Sequence, residues 1–189
     1  MVGCELANDL ALAGYHVTLF DLNPLPLAGL LSAEQSRRLL AAWSNLPMHF
    51  VGGARIERVT LDAAQHRVWT GDGRNFDADH VIAATGLVTP SRLATSTGLA
   101  WDGGIAVDGE TLRTSVANIH ALGDCISIAG KAHRYIEPIA RQARVIAAHI
   151  AAAPAKMYVS RHPPVRVKTG SLGFTVVMGD LSAIEQGAT

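Results

Sequence analysis

The stretch that decides the fold is residues 3–21, which read GCELANDLALAGYHVTLFD. Its first half repeats apolar side chains at helical spacing, and Gly14 follows where a left-handed helix cap would lie. His16 to Phe20 is a compact β-rich run that ends in Asp21. We therefore predict a short helix beginning near residue 1, a tight turn, a strand and an acid at the end of that strand.

This order is typical of part of a dinucleotide-binding unit. Such a unit needs glycines before its first helix, so that backbone amides approach a pyrophosphate, and an acid about 20 residues on that binds a ribose hydroxyl. Gly3 would be the last of those glycines and Asp21 the acid, whereas the first strand and the other two glycines are absent. The alternative is an ordinary glycine near a terminus and an ordinary acid at a strand end. The spacing alone leaves both interpretations open.

Farther along, helical and strand patterns alternate as in an α/β protein. We predict a helix over 33–44 capped by Ser32, a strand at 49–51, antiparallel strands at 55–61 and 66–70 of a β-meander, strands at 78–84, 105–107 and 119–122, and a helix that starts near Pro138. The strand at 78–84 is expected to be buried, because it contains the run Val81 to Ala84. Residues 88–100 are loop-like, and residues 165–168 alternate apolar and basic side chains.

A second strand–acid junction lies at Ile119 to Asp124. Ligands of open α/β sheets bind beyond the carboxyl ends of strands, so Asp124 could bind a hydroxyl of a cofactor. The alternative is an aspartate that caps a turn. On the residues alone both interpretations stay open.

Composition excludes several classes of function. The 16 Lys and Arg balance the 16 Asp and Glu, so nothing favours nucleic acid or anionic lipid as a partner. Hydrophobic residues make up 49% of the 189, as in a packed protein, and the two cysteines and eight histidines have no metal-ligand or paired-cysteine spacing. Neither a secretory signal nor an apolar run long enough to span a membrane is found, so we expect a cytoplasmic protein without a metal.

Several segments, taken in order, resemble one family. These segments are Gly3 to Ala7, Val17 to Asp21, Ala84 to Gly86, Thr114 to Cys125, Arg134 to Ala143 and Pro164 to Thr169. They resemble the FAD-dependent pyridine-nucleotide disulfide oxidoreductases, and most closely the rubredoxin-NAD reductases. The resemblance covers residues 3–169.

The resemblance implies an α/β fold that is incomplete. Residues 1–86 would be a Rossmann-like NADH-binding domain with a β-meander but without its first strand. Residues 87–152 would be the C-terminal segment of an FAD-binding domain, and residues 153–189 the beginning of a small C-terminal α+β domain. The N-terminal FAD-binding unit of the family is missing, and so we expect a fragment that does not hold FAD tightly by itself.

The resemblance also assigns cofactor-binding residues. Gly3 would approach the pyrophosphate of NADH, Glu5 would lie beside the nicotinamide, and Asp21 would hold the adenosine ribose and favour NADH over NADPH. Four further residues would serve FAD: Gly86 in a turn that flanks the cofactor, Asp124 on the ribityl chain, Pro138 at the start of a helix aimed at the flavin, and Lys168 on the flavin side. No catalytic acid or base is expected, because the flavin carries the chemistry.

The function implied is transfer of electrons from NADH through FAD to rubredoxin, together with the missing N-terminal half of the enzyme. The alternatives are a reductase of another carrier, such as a ferredoxin or flavorubredoxin, and a catalytically inactive truncated remnant. A single-domain α/β binding protein is a further alternative. A redox-active disulfide is not expected, since Cys4 and Cys125 do not form the paired motif of the disulfide branch, and both are expected to be buried thiols.

Overall fold

The computed structural model describes residues 1–62, 64–132, 134–154, 157–161, 164–176 and 183–186. The chain forms two compact units, one of residues 1–85 with 164–189 and one of residues 86–163. Helices and strands are mixed in the first unit and in the second, which confirms the predicted α/β class. The assignment of segments 1–86, 87–152 and 153–189 to separate cofactor domains stays a prediction.

The first unit begins with the predicted helix, turn and strand. Helix α1 spans Val2–Leu12 and strand β1 spans Val17–Phe20. Gly14 lies between them with φ +89°, a conformation that favours glycine, and so the chain reverses there as the sequence predicts. Helix α2 spans Ala33–Trp43, and strand β2 spans Met48–Val51.

The start of α2 and the pairing of β1 with β2 follow from local sequence. Ser32 Oγ accepts a hydrogen bond from Gln35 N, and Gln35 Oε1 accepts one from Ser32 N, which together make a capping box. This confirms Ser32 as the cap of the helix. Strands β1 and β2 pair in parallel, with Val17 opposite Met48, as expected when a helix connects two strands.

The predicted β-meander is confirmed. Strands β3 (Ile56–Asp62), β4 (Gln65–Thr70) and β5 (Asn75–Ala78) form an antiparallel sheet in that order. At the β4–β5 turn, hydrogen bonds from Arg74 and then Thr70 hold the pKa of Asp72 well below its usual range.

In the second unit the described residues form a small sheet, two α-helices and a 3-10 turn. Helix α3 spans Arg92–Ser96, strands β6, β7 and β8 span Ile105–Ala106, Ile126–Ile128 and Lys131–Ala132, and helix α4 spans Glu137–Ile150. Strand β7 lies in the middle, parallel to β6 and antiparallel to β8. The core of this unit comprises Ala94, Leu99, Ile105, Val107, Leu112, Ile126, Val145 and Tyr158.

The chain then returns to the first unit with an antiparallel sheet of β9 (Val165–Val167), β10 (Gly173–Val176) and β11 (Ala183–Gln186). In β9 the two valines are buried and Arg166 is exposed, which matches the predicted alternation. Within the described ranges, no helix is both long and apolar enough to cross a membrane.

The predicted buried strand at 78–84 is wrong. Strand β5 ends at Ala78, and residues 80–84 run as irregular chain with Val81 41% and Ile82 61% exposed. A strand is stable only when a neighbour pairs with its backbone groups, and no described strand lies beside this segment.

Two further predictions in the second unit are corrected. Residues 119–122 form only one bridge, between Arg113 and His120, because the chain folds back there. The strand forms later, as β7, and Asp124 lies in a 3-10 turn before it, not after a strand. The loop at 88–100 contains α3, a single short turn that begins after Ser91.

Candidate functional site

The predicted site residues fall into two groups, one in each unit, and the groups are described separately. The α1 cluster consists of Gly3, Glu5, Asp21 and Lys168 in the first unit. The 123–124 turn and the start of α4 form the second group. Gly86 opens the second unit, exposed and with φ +91°, and belongs to neither group.

Gly3 is closely packed. It lies in the first turn of α1, where a Cβ atom would come 3.2 Å from Ala84 Cβ and 3.8 Å from Leu19 Cδ1. A glycine at this position lets the helix start approach β1 and the residues before Gly86. Close packing of a helix against a strand is one of the uses of glycine in dinucleotide-binding units, and the role of Gly3 in binding NADH stays a prediction.

Glu5 and Lys168 meet through the backbone of Lys168. The N–H of Lys168 donates a hydrogen bond of 2.8 Å to Glu5 Oε1, and Glu5 is partly buried. The structure therefore brings together two residues that are 163 positions apart in the sequence. The Lys168 side chain is not part of this bond, and its predicted contact with flavin stays a prediction.

Asp21 is held at the end of β1 by its backbone and by Asn23. Its N–H donates to Val51 O at 3.2 Å and its carbonyl accepts from Ala54 N at 2.9 Å. Its Oδ1 accepts from the Asn23 backbone and side chain at 2.8 and 3.0 Å. Its Oδ2 accepts no hydrogen bond from the residues that the structure describes, and so one carboxylate oxygen is available for a hydroxyl group.

Cys4 lies among these residues as an unreactive thiol. Burial raises its pKa to about 11, and the Asp21 and Glu5 carboxylates act in the same direction against the lowering effect of the N-terminal ammonium. The thiol is therefore protonated at neutral pH and is a poor nucleophile. Cys4 is buried as predicted, whereas Cys125 is only partly buried, and both are free.

In the second unit, the 123–124 turn is held from two sides. Gly123, with φ +76°, donates its N–H to Gln142 Oε1 at 2.9 Å, and Gln142 is fully buried on α4. The carbonyl of Asp124 accepts from Thr89 Oγ1 at 3.1 Å, while the Asp124 side chain is exposed. The turn is thus fixed to the start of α4, and its carboxylate lies at the surface.

The start of α4 combines a buried proline with a paired acid. Pro138 is fully buried in the first turn, as its fixed φ allows. Glu137 pairs with Arg141 at 2.9 Å, and this arginine holds the pKa of Glu137 below its usual range. Among the described residues no side chain caps the helix, and the helix dipole gives its start a partial positive charge.

A buried donor beside the turn indicates that a polar group fits there. Arg134 donates through Nη2 to Thr89 Oγ1 at 3.1 Å, and its Nε is buried without a hydrogen-bond partner in the described part of the chain. Buried polar atoms are almost always paired. The donor therefore fits a ligand with acceptor oxygens, as FAD has, next to Asp124.

The motifs in the sequence do not single out two buried polar residues, Asn8 and Gln142, which bond to Ser171 and to the N–H of Gly123. Asn8 is fully buried on α1 and Gln142 on α4. The available signal was a polar residue on the apolar face of each helix. Among the described residues, no three His, Cys, Asp or Glu side chains are placed to hold a metal ion.

Comparison with known proteins identifies the family. The family model for pyridine nucleotide-disulphide oxidoreductases matches residues 1–153. Since this is most of the chain, the protein belongs to that family, and the resemblance found in the sequence is confirmed.

The relatives include reductases of small electron carriers. The chain is 33% identical over 179 residues to the rubredoxin-NAD(+) reductase of Acinetobacter baylyi and 38% identical over 169 residues to the nitric oxide reductase FlRd-NAD(+) reductase of Aeromonas salmonicida. These alignments cover 94% and 89% of this chain but 45% and 42% of the relatives. The chain therefore spans less than half the length of these relatives.

A solved structure shows the same architecture. The ferredoxin reductase for the CYP199A2 system from Rhodopseudomonas palustris superposes with a TM-score of 0.81 at 26% identity. The match covers 93% of this chain and 45% of that one. The predicted α/β fold, incomplete relative to the proteins that share it, is thereby confirmed.

Proposed function

We propose that this chain supplies the NADH-binding part and a portion of the FAD-binding part of a reductase that passes electrons from NADH to a small carrier such as rubredoxin. The α1 cluster carries the proposal. Gly3 lies in the first turn of α1, where it would approach a pyrophosphate, and Asp21 Oδ2 is available for the hydroxyls of a ribose. Glu5, held by the Lys168 N–H, would lie beside the nicotinamide.

The second group would hold FAD. Asp124 would bind the ribityl chain, Gly86 would flank the cofactor, and the start of α4 at Pro138 would direct its positive end toward the flavin. Bound FAD would accept the hydride and release the electrons to the carrier. The residues of this chain would bind and orient the two cofactors, and none of them need move a proton.

The proposal includes a second polypeptide segment as partner. Strand β1 is paired on one side only, by β2, and Val81 and Ile82 are exposed in an unpaired stretch that leads to Ala84. Ala84 lies close to Gly3 at the start of α1. A strand from the part of the relatives that this chain does not span would fit between β1 and residues 80–84 and would bury both apolar side chains.

The acceptor class is supported by the names of the relatives. One relative is a rubredoxin reductase and another is an FlRd reductase, whereas the structural neighbour is a ferredoxin reductase. Rubredoxin is our proposal, with flavorubredoxin or ferredoxin as alternative carriers. The cytoplasmic location expected from the sequence is part of the same proposal.

The test is a titration of NADH and NADPH by nucleotide fluorescence with the wild type, Asp21→Asn and the control Asp62→Asn. Loss of a charge-assisted hydrogen bond costs about 1.5–3 kcal/mol, so Asp21→Asn should weaken NADH binding about 10- to 100-fold and reduce the preference over NADPH. Asp62 lies at the end of β3 and is exposed, and its replacement should leave both affinities unchanged. Equal NADH affinity in wild type and Asp21→Asn would overturn the assignment.

A further inference from the structure

One face of α1 carries two side chains that bind the segment 168–171. Glu5 Oε1 accepts from Lys168 N at 2.8 Å, and one turn further on Asn8 Oδ1 accepts from Ser171 Oγ at 2.7 Å. Residues three apart lie on the same side of a helix, so the segment runs along α1. Both contacts are within the first unit.

The packing between the two contacts is tight. A Cβ atom at Gly170 would lie 2.9 Å from Leu12 Cδ1 and 3.4 Å from Asn8 Nδ2. Thr169 is buried and its Oγ1 donates to Leu172 O, which closes the chain on itself at this point. The segment therefore has one close-fitting position on the helix.

Asn8 joins this segment to a second helix. It is fully buried, and its Oδ1 also accepts from Trp43 Nε1 of α2 at 3.0 Å. Its Nδ2 is buried without a partner among the described residues. A buried amide with half of its hydrogen-bonding capacity unused is unfavourable for stability, so its presence in an otherwise apolar helix face calls for a role.

We propose that Asn8 is a positioning residue of the nucleotide site. By holding Ser171 it keeps the segment 168–171 on α1, so that the Lys168 N–H fixes the orientation of the Glu5 carboxylate. This inference rests on the proposed function, because it assumes that Glu5 faces bound NADH. It assigns a role in nucleotide binding to Asn8 and Ser171, which contact no part of the α1 cluster except through this segment.

Two substitutions separate positioning from stability. Ser171→Ala removes the bond that holds the segment, whereas Trp43→Phe removes the other bond to the same Asn8 oxygen and leaves the segment in place. Ser171→Thr keeps a hydroxyl group and serves as the conservative variant. All three are made in the full chain, and each is measured by hydrogen exchange at the Lys168 amide and by NADH fluorescence titration.

The expected result is that Ser171→Ala speeds exchange at Lys168 at least about tenfold and weakens NADH binding about three- to tenfold, the equivalent of one hydrogen bond. Trp43→Phe should lower the free energy of unfolding without changing the exchange rate at Lys168 or the NADH affinity. Ser171→Thr should show the wild-type exchange rate and NADH affinity. If Ser171→Ala leaves the NADH affinity unchanged in a chain that binds NADH, the positioning role is refuted while the proposed function stands. The same conclusion follows if Trp43→Phe speeds exchange at Lys168 and weakens NADH binding as much as Ser171→Ala does. If the wild type itself binds no NADH, the proposed function fails and this role fails with it.

Discussion

Gln142→Leu tests whether the 123–124 turn depends on one buried side chain. In the wild type Gln142 Oε1 accepts the N–H of Gly123 at 2.9 Å, Gln142 Nε2 donates a longer bond of 3.5 Å to Tyr158 Oη, and Gln142 is fully buried. Leucine has a similar size, so the main change is a buried Gly123 N–H without a partner, with the long bond to Tyr158 lost as well. Such a group costs about 1–3 kcal/mol, which is a large part of the roughly 5–15 kcal/mol that stabilise an ordinary domain.

The assay is urea unfolding followed by circular dichroism, with Arg144→Gln as control. Arg144 is exposed on the same helix, so its replacement should change the free energy of unfolding by less than about 0.5 kcal/mol. For Gln142→Leu we expect a lower midpoint with an unchanged slope, and faster hydrogen exchange at the Gly123 amide. A variant as stable as the wild type, with a protected Gly123 amide, would refute the reasoning.

Two further predictions concern titrating groups. Burial first, and then Arg113 and His149, lower the pKa of His120 below its usual 6.5, so the unfolded chain binds more protons and stability should fall as the pH drops through the unfolded value. The measurement is urea unfolding between pH 8 and 5. Roughly equal losses of unfolding free energy in wild type and His120→Asn would contradict this prediction. For the thiols, the raised pKa and burial of Cys4 predict that iodoacetamide at about pH 8 labels Cys125 first, as mass spectrometry of peptides can show. Faster labelling of Cys4 than of Cys125 would contradict the burial of Cys4 on α1.

The elements that the sequence predicted correctly carry their signals locally. Ser32 and Gln35 form a capping box within one turn, Gly14 takes the positive φ that its position requires, and Pro138 occupies the first turn of α4. Each of these depends on residues within a few positions of one another. Helix starts and tight turns could therefore be derived from the sequence alone.

The wrong predictions concern strands whose formation depends on distant partners. Val81 and Ile82 have strand-like side chains, but a strand also needs a paired neighbour, which the described chain does not provide. Residues 119–122 are also mostly apolar, and they fold back instead into a turn. The hydrophobic pattern of a segment indicates which side chains it can bury, but it does not indicate whether another strand is present to pair with it.

The candidate site was predicted in part for a related reason. Asp21 is predicted from spacing and Glu5 from the resemblance to the family, but the contact of Glu5 with the Lys168 backbone joins residues 163 positions apart. Asn8 is the second such case, since its partners Trp43 and Ser171 are 35 and 163 positions away. In the local sequence, the only sign of such contacts is a polar residue on an otherwise apolar helix face.

The central claim is that this chain provides part of an NADH- and FAD-dependent reductase. Its most direct test is the visible absorbance of the purified chain with FAD, before and after NADH, alone and mixed with a polypeptide that carries the part of a rubredoxin-NAD(+) reductase this chain does not span. We predict flavin bands and NADH-dependent bleaching in the mixture, and no tightly bound flavin in the chain alone. A cooperatively folded chain that shows neither in either sample would contradict the claim.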